Sequence, residues 1–139
     1  MSSSTGSGNR SGTQPRLVAV VDDDPSVLRS LRSLLLSSGF RVQTFQSAAA
    51  FLASAEATEA DCLVLDLSMP GMTGLDLVFH LRATHRGVPF VVLTAVADPE
   101  ERERVMQSGA VACLRKPASG PELLRAIRTA LEGAPDGAE

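Results

Sequence analysis

Three consecutive carboxylates, Asp22, Asp23 and Asp24, close the apolar run Leu17–Val21, and another carboxylate, Asp66, closes a second run. Adjacent like charges repel by about 4 kcal/mol at the effective dielectric near a protein surface. A chain concerned only with folding has little reason to keep such a triplet, so it is either a solvated turn or a cation site. Thr94 and Lys116 stand at the ends of two further apolar stretches. Lys116 is the single lysine among 13 basic residues, the others all being Arg, which is either chance or the mark of a site needing a compact ammonium on a flexible stem.

The three strand-end carboxylates Asp22, Asp23 and Asp66, with a hydroxyl and an ammonium, define a limited chemistry. Hard oxygen donors on a partly hydrated site suit Mg²⁺, which takes one or two carboxylates and keeps several waters. The ammonium suits a phosphoryl oxygen as a point charge, and the hydroxyl can donate to another. One carboxylate is then left as a nucleophile that forms an aspartyl phosphate. Phosphoryl transfer depends mainly on positioning and charge neutralisation, so a site this sparse can suffice. Which Asp is the nucleophile does not follow from this arrangement alone.

The elements that must position these residues alternate along the chain. Short apolar runs at Leu17–Val21, Cys62–Leu67, Phe90–Thr94 and Val111–Leu114, with a weaker one at Arg41–Phe45, suit strands buried on both faces of a parallel sheet. Between them lie helical segments with start and stop signals. Asp24-Pro25 fits an N-cap followed by Pro at the first helical position, and Val27, Leu28, Leu31, Leu34 and Leu35 form an apolar stripe that ends at Gly39. Ser47 precedes a second helix, Thr73-Gly74 opens a third that stops at Gly87, and "DPEE" at 98–101 opens a fourth that Gly109 closes. "SGPE" at 119–122 starts the last. Five strands alternating with five helices predict a doubly wound α/β domain with right-handed crossovers. In an open parallel sheet ligands bind outside the carboxyl ends of the strands, so Asp22, Asp23, Asp66, Thr94 and Lys116 should converge on one edge.

Bulk properties agree with one soluble domain. The chain has 139 residues, 44% of them apolar and 21% charged. A net charge of −3 and a pI near 5.4 argue against direct nucleic-acid binding or an acidic membrane surface. No leader pattern opens the sequence and no apolar run approaches ~18 residues, so the expected location is cytoplasmic. Cys62 and Cys113 form no CxxC or metal pattern and read as reduced core residues. Residues 1–15, rich in Ser, Gly and Thr, read as a disordered head, 16–132 as the folded domain, and 133–139 as a frayed tail.

With the motifs laid out, the chain from about 16 to 132 resembles the receiver domain of two-component response regulators, the CheY-like family. "VVDDD", "DLSMPGMTG", "LTA" and "RKP" look like its four motifs in order, with intervals of 43, 28 and 22 residues from Asp23 to Asp66, Thr94 and Lys116. The resemblance implies a flavodoxin-like (βα)5 fold with strand order 2-1-3-4-5. It implies Asp66 as phosphoryl acceptor, Asp23 as direct Mg²⁺ ligand, Asp22 acting on the metal largely through water, and the Ser68 backbone carbonyl as a further ligand. Thr94 and Lys116 would bind the phosphoryl oxygens, and the Lys116-Pro117 bond would be cis. "QSAAAFLA" at 46–53 is similar to the FixJ/NarL branch. Asp24 is left as the helix cap. His80 and His85 lie in or near a helical segment without a partner pattern and read as structural.

Two positions depart from the family pattern. Cys113 stands at the switch position, where a Tyr or Phe is usual, and Ala118 where Phe commonly follows the Lys-Pro pair. Both lie on or beside the surface of the last two helical segments and the strand between them, through which many receivers signal. Ser68 and Val96 flank the path of an attacking water in this family. Val96 cannot orient water whereas Ser68 could, and the expectation is a moderately long-lived phosphoryl group.

The reading is a single-domain phosphoacceptor that catalyses its own phosphorylation and dephosphorylation rather than an enzyme. Its partners would be a histidine kinase or histidine phosphotransfer protein upstream, and a downstream protein or a self-dimer. An alternative is the N-terminal receiver fragment of a DNA-binding transcriptional regulator, decided by whether the gene extends beyond Glu139. A haloacid-dehalogenase-type phosphatase would need a second acid at Ser68. A Rossmann dinucleotide binder would need a Gly-rich turn where "DDDPS" stands.

Overall fold

Each of the five apolar runs becomes a strand of one parallel sheet. The computed structural model describes residues 15–54, 59–67, 88–95 and 98–133. The elements in order are β1 (Leu17–Val21), α1 (Pro25–Ser37), β2 (Arg41–Phe45), α2 (Ala48–Ala53), β3 (Cys62–Asp66), β4 (Phe90–Thr94), α3 (Pro99–Gln107), β5 (Ala112–Arg115) and α4 (Gly120–Gly133). The sheet order is β2-β1-β3-β4-β5, with every neighbouring pair parallel. This is the order 2-1-3-4-5 that the sequence resemblance implies. β3 ends at Asp66, one residue short of the apolar run read from the sequence, and β5 is shifted one residue on from its run.

Alternate strand residues feed two separate cores because side chains on a strand point to opposite faces. Val18 and Val20 of β1, Cys62 and Val64 of β3, and Val91 and Leu93 of β4 pack with Leu28 and Leu35 of α1 and Leu123 and Ile127 of α4. Ala19, Val21, Leu63, Leu65, Phe90 and Val92 face the other way, toward Phe51 of α2 and Val105 of α3. Helices thus cover both faces of the sheet, which explains why β1, β3 and β4 are buried along their whole length and read as unbroken apolar runs.

The helix signals act as their chemistry predicts. The Asp24 carboxylate accepts from the Ser26 N–H at 2.9 Å, Ser47 Oγ from the Ala50 N–H at 3.0 Å, and Asp98 from the Glu100 N–H at 3.0 Å. Ser119 Oγ accepts from the Glu122 N–H at 3.1 Å. The chain leaves α1 through Gly39 at φ 96° and α3 through Gly109 at φ 110°, a region costly for any side chain with a Cβ. At the opposite end of the sheet from the strand termini of interest, Asp61 accepts from the Leu17 N–H at 2.8 Å and ties β1 beside β3.

The Pro15 carbonyl accepts from Arg41 Nε at 3.2 Å, and α4 runs to Gly133. The remaining head and tail, and the helix expected after Thr73-Gly74, lie outside the described residues. Among the described residues no helix is long and apolar enough to cross a membrane.

Candidate functional site

The carboxyl ends of β1, β3, β4 and β5 meet at one edge of the sheet. Asp22 follows β1 directly, and its N–H donates to the Phe45 carbonyl at 3.0 Å. That bond fixes the Asp22 backbone and aims its carboxylate across the sheet edge. Asp22 Oδ1 accepts the N–H of Asp24 at 2.9 Å, so the turn that starts α1 also holds the carboxylate in place. Asp66 ends β3 opposite Leu93, and the next residue is anchored by a 2.9 Å bond from the Leu67 N–H to the Leu93 carbonyl. Thr94 ends β4 one step further on, and its carbonyl accepts from the Lys116 N–H at 2.8 Å. Lys116 lies just past β5 on a cis bond to Pro117.

These placements bring charges together. Lys116 Nζ lies 2.9 Å from Asp22 Oδ2 and 3.3 Å from Asp66 Oδ1. Carboxylate oxygens of Asp22, Asp23 and Asp66 all lie within 4.8 Å of one another. Asp22 and Asp66 are buried, at 1% and 3% exposure, Thr94 is buried beside them, and Asp23 is open to solvent. The ammonium thus pairs with two buried acids, and a third, exposed acid lies close to them. Burial alone pushes the Lys116 pKa down, but the hydrogen bond and charge of Asp22, joined by Asp66, outweigh it and hold the group above its usual 10.5. Lys116 is fully charged at neutral pH.

One ammonium does not balance three carboxylates. At an effective dielectric of 20, two like charges 4.8 Å apart repel by about 3 to 4 kcal/mol. Asp22 Oδ2 is buried and faces the Lys116 ammonium. Three clustered carboxylates with one ammonium between two of them leave negative charge that a hard divalent cation would neutralise, and the all-oxygen donor set fits Mg²⁺.

The structure thus brings together five of the residues singled out from sequence: Asp22, Asp23, Asp66, Thr94 and Lys116. Ser68, Val96, His80 and His85 lie outside the described residues. Asp24 is turned to the helix as its cap and is exposed. Cys113 is a core residue, 2% exposed and packed in the same cluster as Val92, Val105 and Ala110. Both cysteines are free and buried, as their spacing predicts. Ala118 packs on the α1 side of the sheet and borders a cavity of about 280 Å³ lined also by Val27, Leu31, Leu93, Pro117 and Leu123. Sequence reasoning did not find Arg102, whose guanidinium reaches the Cys113 carbonyl. An Arg in the charged stretch "EERER" carries no signal that separates it from a solvated neighbour.

Comparison with known proteins gives a consistent picture. The family model described as the response regulator receiver domain matches residues 18–128. The response regulator protein TmoT of Ectopseudomonas mendocina is 38% identical over 126 residues, covering 91% of this chain and 57% of TmoT. The transcriptional regulatory protein FixJ of Rhizobium meliloti (strain 1021) is 37% identical over 115 residues, covering 83% of this chain and 56% of FixJ. The solved structure of the response regulator StyR superposes with a TM-score of 0.78 at 44% identity, over 86% of this chain and 61% of StyR. The chain spans about half the length of the curated relatives it matches.

Proposed function

Since this chain belongs to the response regulator receiver domain family, we propose that it accepts a phosphoryl group on Asp66 in a two-component phosphorelay and passes the signal on by protein contact. The observation that carries this reading is the Lys116 ammonium bridging Asp22 and Asp66 at 2.9 and 3.3 Å beside Asp23.

The residues divide the work by position. Asp66 presents a carboxylate oxygen at the end of a central strand, where it can attack the phosphorus of a phosphohistidine or acyl phosphate in line with the leaving group. The new bond joins Asp66 to phosphorus, and the bond to the donor's nitrogen or oxygen breaks. Lys116, already between two carboxylates, follows the transferred group as a counter-charge for its oxygens. The Thr94 hydroxyl, one strand away, donates to another of those oxygens. Asp22 is committed to Lys116 and to the Asp24 N–H, which suits a role on the cation largely through water. Asp23, exposed and close to both, suits direct ligation, with the Ser68 carbonyl as a further donor. When bound, Mg²⁺ would neutralise charge that develops on the phosphoryl oxygens.

The donor partner is a histidine kinase or histidine phosphotransfer protein, and output goes to a downstream protein or a second copy of the chain. A second reading is favoured by the relatives' greater length and by FixJ's being a transcriptional regulator: the domain would then control a DNA-binding segment of a longer protein. Reading the gene past the codon for Glu139 decides between them. The phosphoacceptor role is tested by incubation with acetyl phosphate and Mg²⁺ followed by intact mass. The wild type should gain one phosphoryl group and Asp66→Asn none. Equal labelling of both would refute Asp66 as the acceptor.

A further inference from the structure

Arg102 lies near the start of α3 and is exposed, yet its guanidinium reaches back to the sheet. Its Nη1 donates to the Cys113 carbonyl of β5 at 2.6 Å. A short bond from a cation to a backbone carbonyl is among the stronger polar contacts available to a protein. The strand it grips is one of the two edges of the sheet. Among the described residues β5 pairs with β4 alone and is four residues long.

The grip falls three residues before Lys116, whose own backbone is tied to the Thr94 carbonyl at 2.8 Å. Between these two anchors the strand has little freedom to slide or lift. The Lys116 ammonium needs that restraint, because it must hold Asp22 and Asp66 simultaneously from the end of a flexible stem. Misplacing a positioning group by about 1 Å can cost a reaction about a hundredfold.

We propose that Arg102 is a positioning residue for phosphoryl uptake: by holding the Cys113 carbonyl it fixes the exit of β5, and with it the Lys116 ammonium between Asp22 and Asp66. The inference rests on the reading of Asp66 as acceptor, but the geometry it describes exists with or without phosphoryl chemistry. The backbone of Cys113 is thereby assigned a task, while its small buried side chain only fills the core.

Two measurements test it. The chain has one lysine, so lysine labelled with ¹³C and ¹⁵N gives a single side-chain NMR signal that reports on Lys116 alone. Arg102→Met should move that signal toward the position of a solvated lysine, and Arg102→Gln, which keeps an N–H donor and adds no second lysine, should move it less. A signal unmoved in Arg102→Met would overturn the proposal, whatever the wild type does with a phosphodonor. The second measurement is the rate of phosphoryl uptake from acetyl phosphate with saturating Mg²⁺, in a double-mutant cycle. Arg102→Met should slow uptake about tenfold in the wild-type background and less than about twofold more in Lys116→Met, because a residue acting through Lys116 has nothing left to act on. Equal slowing in both backgrounds would show that Arg102 works by another route. Failure of the wild type to take up a phosphoryl group would count against Asp66 as acceptor, leaving the lysine signal to decide the role of Arg102.

Discussion

The Lys116 ammonium lies 3.3 Å from Asp66 Oδ1 although β4 separates the strands that carry the two residues. Two strand spacings amount to about 9 to 10 Å, so only a long, unbranched side chain meeting a short carboxylate closes the gap. This accounts for the one place in the chain where Lys is written instead of Arg. A guanidinium would have to fit its planar fork between two buried acids held in fixed positions.

Removing that ammonium should be costly. Lys116→Met leaves Asp22 and Asp66 buried without their counter-charge, and urea unfolding should show a loss of about 3 kcal/mol without Mg²⁺. Adding Asp66→Asn to the variant should recover part of it. The pH dependence has a definite sign. Because the folded pKa of Lys116 lies above its ordinary 10.5, its stabilisation is complete below 10.5 and is lost as the pH rises through the folded value. Lys116→Met should lack that alkaline loss.

Divalent cation should stabilise the fold. Binding to the native cluster alone raises stability by about 2.7 kcal/mol at a hundredfold excess over Kd, and a melting scan with Mg²⁺ against EDTA reads it. Without metal, Asp66→Asn should itself raise the melting temperature by removing one of three crowded charges. A lower melting temperature for that variant would mean that its bond to Lys116 outweighs the repulsion.

Asp24 offers a contrast within the same triplet. Its side chain caps α1, while only its backbone N–H serves Asp22. Asp24→Ala should lower the melting temperature, by less than Lys116→Met does, and leave phosphoryl uptake within about twofold of wild type. The bond from the Ser26 N–H holds the Asp24 carboxyl below its usual 3.8. Its contribution is therefore present above 3.8 and is lost as the pH falls through the lower folded value.

The thiols should be silent in the native protein. Burial, aided by the nearby Asp61, pushes the Cys62 thiol up to about 12, and burial also raises Cys113 against the opposing charge of Arg102. A disulfide-exchange reagent at mildly alkaline pH should find no reactive thiol in the folded chain and both in denaturant. A rapid reaction at Cys113 would show that β5 opens readily.

Much of the fold was legible because parallel strands covered on both faces must be apolar throughout, and Leu17–Val21 and Phe90–Thr94 have no other use. Asp24, Ser47 and Asp98 were legible because short polar side chains at helix starts have one dominant task. The site followed because a sheet of this kind gathers strand ends at one edge. What escaped was contact between residues distant in sequence and ordinary in type. Arg102 reaching Cys113 and the cavity beside Ala118 depend on how α3 and α1 sit over the sheet, and no local pattern encodes that.

Asp22 and Lys116 are first and last in a constellation drawn from four strands, and nothing within any one stretch of the chain assembles even half of it. Chemical competence is thus a property of the finished sheet. Under the proposed function, a chain whose edge strand has come loose would carry all the same side chains and yet be deaf to a phosphodonor, so that only finished molecules would answer.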